Sequence, residues 1–124
     1  MAEIVQGGVR VMVFAEWTTQ LRRGVLELCL LRILSRSPGY GYDIVTRLQA
    51  LGPLAAGENT VYPILRRLRA ERVLETFTQP SPSGPPRQYY RLTATGRKRL
   101  ALLTADWDAV VRAIAQCQES PSQS

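Results

Sequence analysis

The residues best placed to do chemistry in this chain are the arginines of one short segment. From Asn59 to Arg72, the apolar residues Val61, Ile64, Leu65 and Leu68 recur at helical spacing, and Arg66, Arg67, Arg69 and Arg72 fill the other face. One side wants a core and the other wants an anion. A guanidinium can hold a phosphate, or donate two hydrogen bonds to a guanine edge. Arg66 and Arg67 are candidates for either role. Asn59 and Thr60 open the segment as a capping pair, where helix amides and the dipole favour a phosphate. Tyr62 adds a hydroxyl within reach of one. A short helix of this kind, following another short helix and a turn, is what a protein inserts into a DNA major groove. The plain alternative is a solvated basic face.

Bulk composition agrees with a polyanionic partner. Lys plus Arg number 16 against 10 for Asp plus Glu, so the formal charge is +6. Such an excess favours phosphate neutralisation and counterion release. Arginines concentrate between Arg66 and Arg72 and again between Arg87 and Arg99. At 124 residues the chain is one small domain with an appended helix. Histidine is absent, and the cysteines, Cys29 and Cys117, form no Cys-x-x-Cys pair. No metal site, disulfide framework or catalytic base is suggested. A free buried thiol at Cys117 suits a reducing cytoplasm better than a bond across a dimer axis. The longest apolar run, Val25 to Leu34, is interrupted by Glu27 and Arg32 and is too short to span a bilayer. No export signal precedes it, so a cytoplasmic location is expected.

The elements that must position the arginines follow from periodicity. A broadly apolar first helix is expected from Thr18 to Arg36, capped by Thr18 or Thr19, and Ser37-Pro38-Gly39 ends it. A short amphipathic second helix spans Tyr40 to Leu51. The third runs from about Asn59 to Arg72, with Pro63 in or just after its first turn. Val73–Thr78 and Arg87–Leu92 read as strands, and the proline-rich stretch Gln79–Pro86 as the turn between them. Thr93 caps a fourth helix running to about Gln118. Its residues Leu100, Leu103, Trp107, Val110, Ile114 and Cys117 alternate steps of four and three, a dimer-interface stripe. Before Trp17, Val9, Val11 and Val13 alternate over a short span beside Gly7-Gly8, and a loose tail is favoured over an ordered strand.

The order helix, helix, helix, hairpin, helix predicts a mainly α (α+β) fold: a winged helix-turn-helix with a C-terminal dimerisation helix. Residues 1–16 form an N-terminal extension, 17–92 the winged helix-turn-helix DNA-binding domain, 93–118 the dimerisation helix and 119–124 a disordered tail.

Three motifs in this order resemble the PadR family of transcriptional regulators. They are Gly39-Tyr40-Gly41-Tyr42-Asp43-Ile44, then Asn59-Thr60-Val61-Tyr62-Pro63-Ile64-Leu65-Arg66-Arg67-Leu68, then Gly84-Pro85-Pro86-Arg87-Gln88-Tyr89-Tyr90-Arg91-Leu92-Thr93, closing with Gly96. Trp17–Leu21 and Gly24-Val25-Leu26 are similar to the start of many members, and the likeness extends to Ile114. The size suits the short subfamily with a single C-terminal dimerisation helix. The chain departs from the family in Asn59, where Gly is common, in a longer proline-rich wing, and in the segment before Trp17. Met12 stands where several relatives begin.

The resemblance implies a homodimeric repressor that binds an inverted-repeat operator and is released by a small molecule. Its DNA-binding residues would be Tyr40, Asn59, Thr60, Tyr62, Arg66, Arg67 and Arg87. Arg87 would follow the backbone or enter the minor groove. Tyr40 and Tyr42 could instead pack the second helix. Trp107 would stack on a flat aromatic effector, as in multidrug-binding relatives, or lie buried in the dimer interface, with Asp106 and Asp108 attracting a cation. Double-stranded DNA, a second copy and an aromatic effector are the expected partners, without a cofactor or a membrane. A winged-helix protein-interaction module, meeting an acidic protein with its basic face, is the alternative. An enzyme is disfavoured for want of a catalytic constellation.

Overall fold

The computed structural model describes residues 2–6, 9–13 and 15–119. Strands β1 (Ala2–Gln6) and β2 (Val9–Val13) pair antiparallel, from Ala2 opposite Val13 to Gln6 opposite Val9. A loose tail was the favoured expectation here. The two short runs instead satisfy each other's backbone groups, and the Gly7-Gly8 dipeptide between them is of the type that favours hairpin connections. The expected disordered tail, apart from Glu119, lies outside the described residues.

Helix α1 (Ala15–Arg36) begins upstream of Thr18 and Thr19, so neither threonine caps it. Its Leu26, Leu30, Leu31 and Leu34 enter the core. After α1 the chain does not pass straight into a helix at Tyr40. Gly39–Tyr40 forms strand β3, because Tyr40 is extended at φ −91 and ψ 163 and pairs with Tyr89. Helix α2 (Gly41–Gln49) follows, burying Ile44, Val45 and Leu48. A short 3-10 turn at Gly52–Leu54 leads to α3 (Glu58–Ala70). The cap of α3 is Gly57, which offers no side chain, so Asn59 and Thr60 lie inside the first turn rather than capping it. Pro63 lies deeper in α3 than its first turn. Its missing N–H falls at the exposed side of the helix, where water can serve the freed carbonyl.

Helix α3 ends with Arg72 in the left-handed region at φ 62. The Val73 amide donates to Leu68 O at 2.9 Å and the Arg72 amide to Arg69 O at 3.0 Å, a Schellman-type closure on a non-glycine residue. Strands β4 (Leu74–Ser81) and β5 (Gly84–Leu92) form the wing. The sheet order is β3-β5-β4, all antiparallel. The ladder runs further than expected, from Leu74 opposite Leu92 to Ser81 opposite Gly84, with an irregularity between Gln79 and Ser81. The expected turn from Gln79 to Pro86 thus shrinks to Pro82-Ser83. Proline is tolerated there because β3 does not reach that end of the sheet, so both strands are edges.

Thr93 caps α4 (Ala94–Gln116), accepting from the Gly96 amide at 3.0 Å. Its hydroxyl donates to Arg72 O at 2.6 Å, tying the start of α4 to the end of α3. Gly96 lies so close to Val73 O that a Cβ would overlap the carbonyl. Val61, Leu65, Leu68, Val73, Leu74, Tyr90 and Leu92 complete the core. Each fully buried Leu, Val or Ile contributes roughly 1.5–3 kcal/mol.

Candidate nucleic-acid interface

Helix α3 buries Val61, Leu65 and Leu68 against the core. With 3.6 residues per turn, Asn59, Pro63 and Ala70 lie furthest from that stripe, Arg66 lies beside them, and all four are exposed. Tyr62 and Arg69 lie on the flank toward α2. Thr60, Ile64, Arg67 and Glu71 lie on the flank toward α1. Among the described residues, Arg66 and Arg69 have no ion-pair partner. They are the cations of α3 left open to an external anion.

The other sequence-chosen residues divide. Tyr62 is half-buried, and its ring fills the space where a Cβ at Gly41 would sit. Burial, then Glu58 and Tyr90, push its phenol above the ordinary tyrosine range, so it stays a neutral donor. Its hydroxyl is turned toward the start of α2, which makes packing its first role. Tyr40 is also half-buried. Its ring meets Tyr89 edge-on with centroids 5.3 Å apart, and the Arg87 guanidinium lies over it at 4.5 Å. The pair Tyr40-Gly41 therefore joins wing to α3: Tyr40 holds Arg87 and Gly41 receives Tyr62. Further along the wing, Phe77 stacks on Tyr89, and Arg91 lies over Phe77 while bonding Glu75 at 3.0 Å.

Arg67 departs from the expectation of a duplex-facing residue. Its guanidinium donates to Glu27 of α1 at 2.8 Å and to Glu71 at 3.2 Å. Arg99 of α4 bonds the same two acids, Glu27 at 3.0 Å and Glu71 at 3.2 Å. The result is a closed ring of alternating charge linking α1, α3 and α4. Burial pulls the Glu27 carboxyl up, but hydrogen bonds from Arg67 and Arg99 outweigh it and hold it below the ordinary carboxylate range. Arg67 is correspondingly raised, first by its bond to Glu27. Sequence periodicity around α3 alone finds only the Arg67–Glu71 pair of this ring, because Glu27 and Arg99 come from distant segments.

The family model described as "Transcriptional regulator PadR-like family" matches residues 30–102. The chain belongs to this family. A PadR-like transcriptional regulator from Bacillus cereus has a similar structure, with a TM-score of 0.74 and 33% identity, over 82% of this chain and 98% of that one. A PadR family regulator from Eggerthella lenta gives a TM-score of 0.76 at 33% identity, over 86% and 92% of the two chains. An uncharacterised protein of Lysinibacillus sphaericus is 30% identical over 90 residues, 71% of this chain and 83% of that one. The fold is thus the winged helix of PadR-like regulators, and transcription regulation is its class of function. Among the described residues, no helix is long and apolar enough to cross a membrane.

In this PadR-like chain the C-terminal stripe splits in two. Leu100 and Leu103 turn inward and pack against the chain's own core. Trp107 is half-buried beside α1, in a groove of about 240 Å³ lined also by Gly24, Val25, Glu27, Leu28 and Asp106. Val110 and Ile114 are exposed, at 48% and 62%. Leu102 and Val111, outside the expected stripe, are exposed too, as are Trp17 and Leu21 of α1. The heptad template leaves out Leu102 and Val111, which stand nine positions apart on opposite sides of α4, to either side of the stripe. Cys117, expected as a buried thiol, is free and exposed in the single chain, its Sγ bonding Ala113 O at 3.4 Å.

Proposed function

We propose that this PadR-like regulator binds double-stranded DNA as a homodimer, with α3 in the major groove and the wing against the backbone. The observation that carries the reading is the junction at Tyr40-Gly41. It brings the Arg87-bearing wing to the helix whose exposed Arg66 has no ion-pair partner among the described residues, beside the exposed Asn59 and Pro63. Asn59, Thr60, Arg66 and Arg87 take the direct contacts. Tyr40 and Tyr62 hold the elements that present them. Arg67 supports α3 through the charge ring.

The second copy covers the exposed residues Leu102, Val110, Val111 and Ile114 of α4, together with Trp17 and Leu21. Large apolar side chains gathered on one helix favour association through their burial. Two-fold symmetry then calls for an inverted-repeat operator with half-sites about one helical turn, or a multiple, apart. Repression follows when that operator overlaps a promoter. A flat aromatic effector, cationic in view of Asp106, enters the groove at Trp107. It releases DNA if it binds best to a dimer whose two heads are wrongly spaced. The reading places the protein in the cytoplasm, where its DNA is.

The test is fluorescence polarisation on duplex DNA at low and moderate salt, with sedimentation of the same sample. The expected result is a dimer whose DNA affinity falls steeply with salt. A monomer, or absence of binding at low salt, overturns the reading in favour of a protein-interaction module.

A further inference from the structure

The N-terminal end of α1 runs beyond the core, whose first α1 residue is Leu26. Two faces of this overhang differ. Trp17 and Leu21 are exposed apolar residues on one side. Thr19, Arg22, Arg23 and Leu26 share the other side, at spacings of three and four. That second face looks onto Thr60 and Ile64 of α3, which also share a flank. The six residues enclose a cleft of about 130 Å³ between the two helices.

Every polar group on that lining carries a donor: two guanidinium groups and two hydroxyls. No carboxylate lines the cleft; the nearest hollow along α1 contains Glu16 with Thr19, Gln20 and Arg23. Arg22 is held in place by one N–H donated to Pro53 O at 3.2 Å, in the turn leading to α3. Its planar fork keeps further donors free. Arg23 has no ion-pair partner among the described residues. Two guanidinium groups and two hydroxyls around a small open cleft without a carboxylate favour an oxyanion.

We propose that Arg22 and Arg23, with Thr19 and Thr60, form a clamp that seats one backbone phosphate of the duplex beside α3. The inference rests on the DNA-binding reading above and extends it to α1. Thr60 is adjacent in the chain to Asn59, at the end of α3 that leads into the groove, so the clamp lies where the edge of the groove would pass. Such a contact sets the position of the protein on DNA and carries no sequence information.

The test compares the wild-type chain with the double variant Arg22→Gln/Arg23→Gln, on random-sequence and palindromic duplexes over a range of salt. Each phosphate neutralised contributes about 0.9 to the slope of log K against log salt. The variant should lose about one unit of slope and bind both duplexes more weakly by the same factor. Arg22→Lys/Arg23→Lys should retain the wild-type slope. The thermal midpoint, followed in parallel, separates a lost contact from a lost fold. If the Gln variant is less stable, Arg23→Gln alone, which leaves the Pro53 bond intact, should still reduce the slope. An unchanged slope with wild-type DNA binding overturns the clamp and leaves the DNA reading standing. Failure of the wild type to bind any duplex at low salt overturns both. A midpoint raised by inorganic phosphate, with an unchanged DNA slope in the variants, assigns the cleft to the free anion and overturns the clamp.

Discussion

Arg66 and Arg67 are neighbours in sequence and opposites in surroundings. Arg66 lies on the outer side of α3 with no ion partner among the described residues. Arg67, on the flank toward α1, is held by Glu27 and Glu71 in a ring that Arg99 closes. One step along a helix turns a side chain by about 100 degrees, enough to exchange an open surface for a seam between helices. The same residue type therefore serves two purposes. An unpaired guanidinium keeps its full attraction for an external phosphate. A paired one has part of its charge cancelled, and steadies the helix that carries the other.

The comparison breaks most directly at DNA affinity. Arg66→Ala should weaken duplex binding by about fivefold or more, about 1–3 kcal/mol, while the unfolding midpoint stays put. The double variant Arg66→Ala/Arg67→Ala should abolish operator binding and leave the dimer intact by sedimentation. If Arg67→Ala alone costs as much binding as Arg66→Ala at unchanged stability, the two flanks are not different.

Stability provides the next test. Arg67→Ala and Glu27→Gln should each lower unfolding free energy by about 1 kcal/mol, the scale of a partly exposed ion-pair network. Chemical denaturation of both single variants and the double variant should show a loss smaller than the sum. Additive losses would mean that the ring is four unrelated surface charges.

A smaller effect is expected from pH. The Glu27 carboxyl is held below its ordinary value in the folded chain. Its contribution is present in full above the ordinary carboxylate value, about 4.3, and is lost as pH falls through the lower folded value. Wild type should therefore lose more stability than Glu27→Gln between about pH 5 and pH 3. Parallel curves would remove Glu27 from the account.

The smallest effect concerns the end of α3. Arg72→Gly removes a side chain from a left-handed position that disfavours L-residues by about 1–2 kcal/mol, against a larger unfolded-state entropy for glycine. A net stabilisation below about 1 kcal/mol is expected, read as a higher thermal midpoint. A lower midpoint would show that Arg72 makes a stabilising contact.

Much of this architecture was legible in residue types. Thr93 and Gly96 mark the start of α4, and the apolar spacing of Val61, Leu65 and Leu68 marks the buried face of α3. The failures share a cause. Thr18, Thr19, Asn59 and Thr60 have the chemistry of helix caps, yet each lies within a helix, since tertiary packing sets where a helix begins more strongly than one cap does. Tyr40 suits a helix start by position but joins a strand, because Tyr89 offers it a backbone partner from far along the chain. The spacing from Leu100 to Cys117 predicts a single seam. In the fold its first part covers the chain's own core, and its later part stays exposed.

Local pattern, then, decided what depends on near neighbours. The helical periods, the breaks at Ser37-Pro38-Gly39 and around Pro82-Ser83, and the surplus of positive charge are properties of short stretches. Which arginine meets solvent and which meets Glu27 was decided only when α1, α3 and α4 packed together. Charge pairing is a property of distance in space, and Glu27 and Arg99 approach Arg67 only in the folded chain.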